Sequence, residues 1–125
     1  MNLSKPWLEE DKYIPQLLQE WKSLEIEIKT LFANRQNDAV LLPMKQGIDL
    51  LIRFVFWSNK LPVVKLEEAD IDGLLIKPVN FMERIQFLML RPNLYPSFRQ
   101  LTELFSEQEK QYSKYLAIEE TKRKK

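Results

Sequence analysis

The segment from Pro43 to Trp57 is apolar around almost the whole circumference of a helix. When successive residues are placed 100° apart, its polar side chains share one narrow stripe: Lys45, Gln46, Asp49 and Arg53. A helix with so little polar surface is normally the buried centre of a bundle. Gly47 has no Cβ, so we predict that a neighbouring helix approaches closely at that residue. The pattern therefore predicts a central helix with other helices around it.

Three stretches besides the central one carry apolar residues at helical spacing. The first of these helices is expected over Ile14–Ala33, with Pro15 in its first turn. The central segment is expected over Asp38–Asn59, where Pro43 either kinks the helix or starts it after a short turn at Asp38–Leu42. Another helix begins at Asn80, which has a glutamate three residues later as in a capping box, and is stopped by a proline. The last is expected from Pro96 to about Ile118.

The connection over residues 62–79 is less regular. Glu67–Asp72 favours a short helix that ends at Gly73, and the apolar residues after it favour a pinned loop. No segment alternates with the period of a strand. The predicted fold class is all-α, a bundle of four main helices plus a short helix in the 62–79 connection.

Both ends of the chain are expected outside the bundle core. Residues 1–13 predict an extended lead-in, in which Trp7 and Leu8 form an apolar plug against the bundle. Residues 121–125 predict a frayed basic tail. Residues 1–120, which include the lead-in, are of a length that suits a single helical-bundle domain.

Composition narrows the chemistry. Charged residues make up 30% of the chain and the formal net charge is +1, which argues against a large uniform field for nucleic acid or membrane. Cysteine and histidine are both absent from the sequence. Thiolate nucleophiles and imidazole bases are therefore excluded, and with them the commonest metal ligands. We expect no enzyme activity, no catalytic residue, no cofactor and no metal.

The start of the chain, MNLSKPWLEEDK, has no apolar core of the kind found in secretory signals. Leu50–Trp57 is too short to span a bilayer and contains Arg53. These two observations favour a cytoplasmic protein that does not insert into membranes.

A series of residues near the C-terminal half resembles a known family. The stretch KPVNFMERIQFLMLRPNLYPSFRQLTELFSEQEKQYSKYLA, with GIDLLIRFVFWSNKLP upstream, is similar to the YpoC-like proteins, small helical proteins of Bacillus-type bacteria. The resemblance covers roughly residues 40–118. It implies a helical fold and a bacterial cytosolic setting. The family has no assigned activity, so the resemblance assigns no catalytic residue.

The acidic group in the connection is the best candidate for a divalent cation site. All-α nucleotide pyrophosphatases hold Mg²⁺ with paired acidic motifs, and Glu67-x-x-Asp70 has the spacing of one such motif. Between Asp38 and Glu67, however, the single acidic residue is Asp49, so the partner motif is missing. We favour a solvated acidic loop over a metal site.

Arg53 is a permanent charge within the most apolar helix. One hypothesis is an anion or partner-carboxylate site shared with Arg84 and Arg91, which lie seven residues apart. The other, which we favour, is an i,i+4 ion pair with Asp49, with the Arg53 stem lying over the core. It predicts that Arg53 is at least half buried.

Four apolar residues exceed what a single buried stripe on each helix requires: Ile26, Phe56, Phe87 and Leu90. They indicate either a multilayered bundle or an apolar docking face. At the end of the central helix we expect Trp57 to be the core anchor. Phe56 lies in the polar sector of the helix, so we expect it to be the more exposed of the two.

The leading functional hypothesis is a small cytosolic interaction module that binds a protein partner through an apolar, arginine-bearing helix face. Its candidate residues are Arg53, Phe56, Arg84 and Arg91. The alternative is an accessory nucleic-acid-binding protein that uses the basic tail with Arg84, Arg91 and Arg99. The sequence leaves the partner and the oligomeric state open.

Overall fold

The computed structural model describes residues 4–124, which form four α-helices with no strand among them. The helices are α1 (Glu10–Ala33), α2 (Leu41–Ser58), α3 (Phe81–Leu90) and α4 (Tyr95–Arg123). Short 3₁₀ helices lie at Pro6–Leu8, Asn37–Val40 and Leu66–Glu68. The predicted all-α bundle is confirmed, and so are the short turn before α2 and a short helix in the connection, although the latter is a single 3₁₀ turn.

The central position of α2 is also confirmed. It contacts α1, α3 and α4, and its side chains Met44, Leu51, Phe54 and Val55 are fully buried. Gly47 lies where α1 and α4 come closest to it. A Cβ at Gly47 would stand 2.9 Å from Cζ3 of Trp21 and 3.0 Å from Cδ2 of Leu101. The predicted close approach therefore occurs, and it involves two helices.

Aromatic side chains fill the space between α1, α2 and α4. The rings of Trp21 and Phe105 stack with centroids 4.1 Å apart and planes within 8° of each other. Phe54 lies 6.3 Å from Phe105 and meets Tyr112 edge-on at 6.0 Å. Burial of Tyr112, together with the carboxylates of Glu10 and Asp11, raises the pKa of its hydroxyl to about 12. These contacts place the start of α1 beside the later turns of α4.

The start of α1 and the capping of α3 differ from the sequence predictions. α1 begins at Glu10, four residues earlier than expected, so Pro15 lies in its second turn and not in the first. The acidic first turn, Glu10 and Asp11, suits the positive end of the helix dipole. α3 begins after Asn80 as predicted, but the Asn80 side chain makes no capping hydrogen bond, because this residue adopts a left-handed backbone with φ 54°.

The C-terminal tail was expected to fray, but α4 continues to Arg123. Ion pairs one turn apart, Lys122 with Glu119 and Lys124 with Glu120, support these exposed turns. At the other end, the lead-in contains a 3₁₀ turn in which Trp7 is half-buried, whereas Leu8 is exposed and is therefore not part of the predicted plug. Residues 1–3 of the predicted lead-in and residue 125 of the predicted tail lie outside the described residues.

The connection between α2 and α3 is held by side chains that bind its backbone. Asn59 donates from Nδ2 to the carbonyls of Val55 (2.7 Å) and Ile76 (2.8 Å), and its Oδ1 accepts from the N–H groups of Leu75 and Ile76. Lys77 donates from Nζ to three carbonyl oxygens at 2.8 to 3.1 Å, those of Ile71, Asp72 and Leu74. This network fixes the connection against the end of α2.

Candidate functional site

One side of α3 carries apolar residues that the bundle leaves uncovered. Phe81, Ile85 and Leu88 are buried against the core. On the opposite side, Leu90 is 81% exposed and Phe87 is 45% exposed. Glu83 is exposed on the same side, and Arg91, also exposed, directly follows the last residue of the helix. We call this surface, formed by Glu83, Phe87, Leu90 and Arg91, the α3 outer face.

A shallow apolar groove lies beside this face, between α3 and α2. It encloses about 260 Å³. Its walls are formed by apolar and charged residues from both helices: Lys45, Ile48, Asp49, Ile52, Met89 and Pro92. Met89 is half exposed and points about 100° round the helix from Leu90, so the groove lies to one side of the α3 outer face. Two of the apolar residues that exceeded the predicted stripes, Phe87 and Leu90, thus mark one side of the molecule.

The predicted position of Phe56 was wrong. Phe56 is 2% exposed, whereas Trp57 is only partly buried and meets Tyr13 edge-on at 6.4 Å. Phe56 does point into the polar sector of α2, but the chain turns back after α2 and covers it with residues of the 61–74 segment, including Leu61, Pro62 and Leu74. Phe56 is therefore part of the core and is removed from the candidate partner surface.

The predicted ion pair of Arg53 is confirmed. Its Nη2 lies 2.7 Å from Oδ2 of Asp49, and the Arg53 side chain is 45% exposed, so slightly more than half of it is covered. The pair borders a groove of about 400 Å³ between α1 and α2, whose walls also include Glu20 and Glu27. Three carboxylates against one guanidinium make this groove a poor site for an anion.

Arg84 is directed away from Arg53, toward α4. Its Nη1 donates to Oε1 of Glu107 at 3.0 Å and to the carbonyl of Val79 at 2.9 Å, while its Nη2 contacts Oε2 of Glu107. This two-point contact with Arg84 lowers the pKa of the Glu107 carboxyl. The guanidinium of Arg84 thus ties α3 to α4, and the hypothesis of one anion site shared by Arg53, Arg84 and Arg91 is wrong. Arg91 alone of the three borders the exposed apolar surface.

The acidic connection does not assemble into a cation site in the part of the chain that the structure covers. Within residues 4–124, no three acidic side chains are placed to hold a metal ion. Asp70 instead accepts a hydrogen bond from the backbone N–H of Gly73 at 3.2 Å, as turn-forming aspartates commonly do. For the nucleic-acid alternative, Arg91, Arg99 and the basic end of α4 are exposed and available for phosphate contacts. Arg84 is not, because it is paired with Glu107.

These features define a small helical bundle with an exposed apolar face on a short helix. Within residues 4–124, none of the helices combines the length and apolar character needed to cross a membrane. Residues 11–120 match the model of the family described as YpoC-like protein, and the chain belongs to that family. It is 31% identical over 115 residues to the Bacillus subtilis (strain 168) protein named "Uncharacterized protein YpoC". The aligned region covers 90% of this chain and 70% of the relative. No solved structure matches the chain.

Proposed function

We propose that this protein is a non-enzymatic interaction module that binds a protein partner through the α3 outer face. The observation that carries the proposal is the exposure of Phe87 and Leu90 on the side of α3 opposite its buried stripe. Covering such side chains contributes roughly 1.5–3 kcal/mol each, which is enough to drive association when several are buried together. The lack of histidine and cysteine in the sequence supports a role without chemistry of its own.

The arrangement differs from the scatter of single apolar residues that every protein surface carries. Ile26 of α1 is such a single residue, 68% exposed. Phe87 and Leu90 are instead neighbours three residues apart on one helix, and the half-exposed Met89 of the same helix lines the groove beside them. A helix that presents neighbouring apolar side chains beside a groove is a common way to bind another helix.

Site-specific photo-crosslinking in a cell extract tests the proposal. Since the chain has no cysteine, Leu90→Cys provides the single attachment point for a photoreactive group in the purified protein, which is then added to a cell extract. We expect a discrete protein adduct from position 90, identified by mass spectrometry, that disappears when Phe87→Glu is added. Ile26→Cys is the matched control, because Ile26 is also an exposed apolar helix residue.

Each outcome has a defined meaning. An adduct at position 90 that depends on Phe87 supports the proposal. Equal adducts at positions 90 and 26, or none at position 90, would refute it. Adducts to nucleic acid at position 90, lost at high salt, would instead support the nucleic-acid alternative, because phosphate contacts weaken steeply with salt.

A further inference from the structure

We infer that the α3 outer face is a two-fold contact between two copies of this chain. The inference rests on the interaction role proposed above and names the partner of the same surface. It follows from three observations: the order of charges along α3, the exposure of Phe87 and Leu90 between those charges, and the near-neutral charge of the whole chain.

The charges of the α3 outer face are arranged symmetrically about Phe87. Glu83 lies four residues before Phe87 within the helix, and Arg91, the residue just beyond the last turn, lies four residues after it, so the two opposite charges stand on either side of Phe87. A two-fold axis through Phe87 reverses the second α3. It therefore places Glu83 of one copy opposite Arg91 of the other, at both ends of the contact. Phe87 and Leu90 of the two copies then meet between the two ion pairs.

Both charged groups are available for such pairs. Within residues 4–124, neither Glu83 nor Arg91 lies within salt-bridge distance of an opposite charge, whereas Arg53 and Arg84 are both paired. A partner with a uniformly acidic surface would be repelled by Glu83, and a uniformly basic one by Arg91. The balanced face therefore suits a copy of itself better than either.

The net charge of the chain fits the same partner. With a net charge of +1, two copies experience little overall repulsion.

Charge reversal at the two ends of α3 tests this geometry directly. Glu83→Arg gives each copy a positive charge at both ends, and Arg91→Glu gives each copy a negative charge at both ends. Each variant alone places like charges opposite each other twice, so we expect its self-association to weaken by at least about tenfold in sedimentation velocity. An equimolar mixture of the two places Arg opposite Glu twice, and we expect it to dimerise as the wild type does.

Two further variants control for folding and for net charge. The double variant Glu83→Arg/Arg91→Glu exchanges the two charges and should dimerise again, which shows that the substituted chain folds. Lys29→Glu makes the same charge change as Arg91→Glu at an exposed position on α1, and should leave dimerisation unchanged. Thermal melts followed by circular dichroism confirm that each variant remains helical.

The inference is refuted if the wild type remains monomeric at submillimolar concentration, or if the mixed variants fail to associate although the wild type does. Neither result refutes the interaction role itself. A monomer whose Leu90→Cys position still forms an adduct with a different protein, dependent on Phe87, would keep the proposed function and exclude the second copy. A monomer with no such adduct would overturn both.

Discussion

Replacing Gly47 by alanine is the most direct test of how α2 is packed. The added Cβ would lie 2.9 Å from Cζ3 of Trp21 and 3.0 Å from Cδ2 of Leu101. Both neighbours are buried, and the Trp21 ring is held by its stacking on Phe105 at 4.1 Å. Neither side chain can move aside without disturbing the packing of α1 against α4.

Two opposing terms decide the sign of the effect. Alanine favours a helix over glycine by about 1 kcal/mol, which would stabilise the variant. Adding a carbon to a closely packed core costs about 1–3 kcal/mol. Since the Trp21 ring and Leu101 are both held by their packing, we expect the packing cost to exceed the helix gain, and Gly47→Ala to lower the free energy of unfolding by about 1 kcal/mol.

Urea denaturation with a double-mutant cycle separates these two terms. Trp21→Leu alone destabilises the protein but removes the ring atom that Cβ would contact. In the Trp21→Leu background we expect Gly47→Ala to lower the free energy of unfolding much less, because the added Cβ then meets fewer atoms while the gain in helix propensity is unchanged. If Gly47→Ala stabilises the wild type by about the full helix-propensity gain, the close approach of Trp21 and Leu101 to Gly47 is not as described.

Three other predictions follow from the packing and the ion pairs. Phe56→Ala should cost about 3–5 kcal/mol in urea melts and Trp57→Ala clearly less, because Phe56 is 2% exposed and Trp57 only partly buried; a larger loss at Trp57 contradicts this. The pKa of Glu107 is lowered by Arg84, so its stabilising effect is complete above the ordinary glutamate pKa and is lost as the pH falls through the lowered value. The stability difference between wild type and Glu107→Gln should accordingly shrink in melts at decreasing pH, and a constant difference would show that the pair contributes nothing. Deletion of residues 121–125 should leave the melting temperature almost unchanged because residues 121–124 are exposed, and a drop of several degrees would mean that this end docks.

The sequence by itself determined the number of helices, their order and the central place of α2. These features depend on local spacing: an apolar residue every three or four positions selects the buried side of a helix, and prolines limit its ends. The Arg53–Asp49 pair followed from spacing within one helix, and the close approach at Gly47 followed from its missing Cβ. The predicted α1 and α4 were too short, because the outer turns of these helices carry favourable charges and do not continue the apolar pattern.

Only the tertiary structure decided which side chains remain on the surface. Phe56 lies in the polar sector of α2, as its spacing indicated, but the segment that follows the helix folds back over it. Arg84 meets Glu107, 23 residues away, and therefore leaves the candidate surface. Phe87 and Leu90 remain on it because no other element within residues 4–124 covers that side of α3. Helical periodicity gives the direction of a side chain, whereas its burial depends on which distant segment lies in that direction, and this is set by the packing of the whole chain.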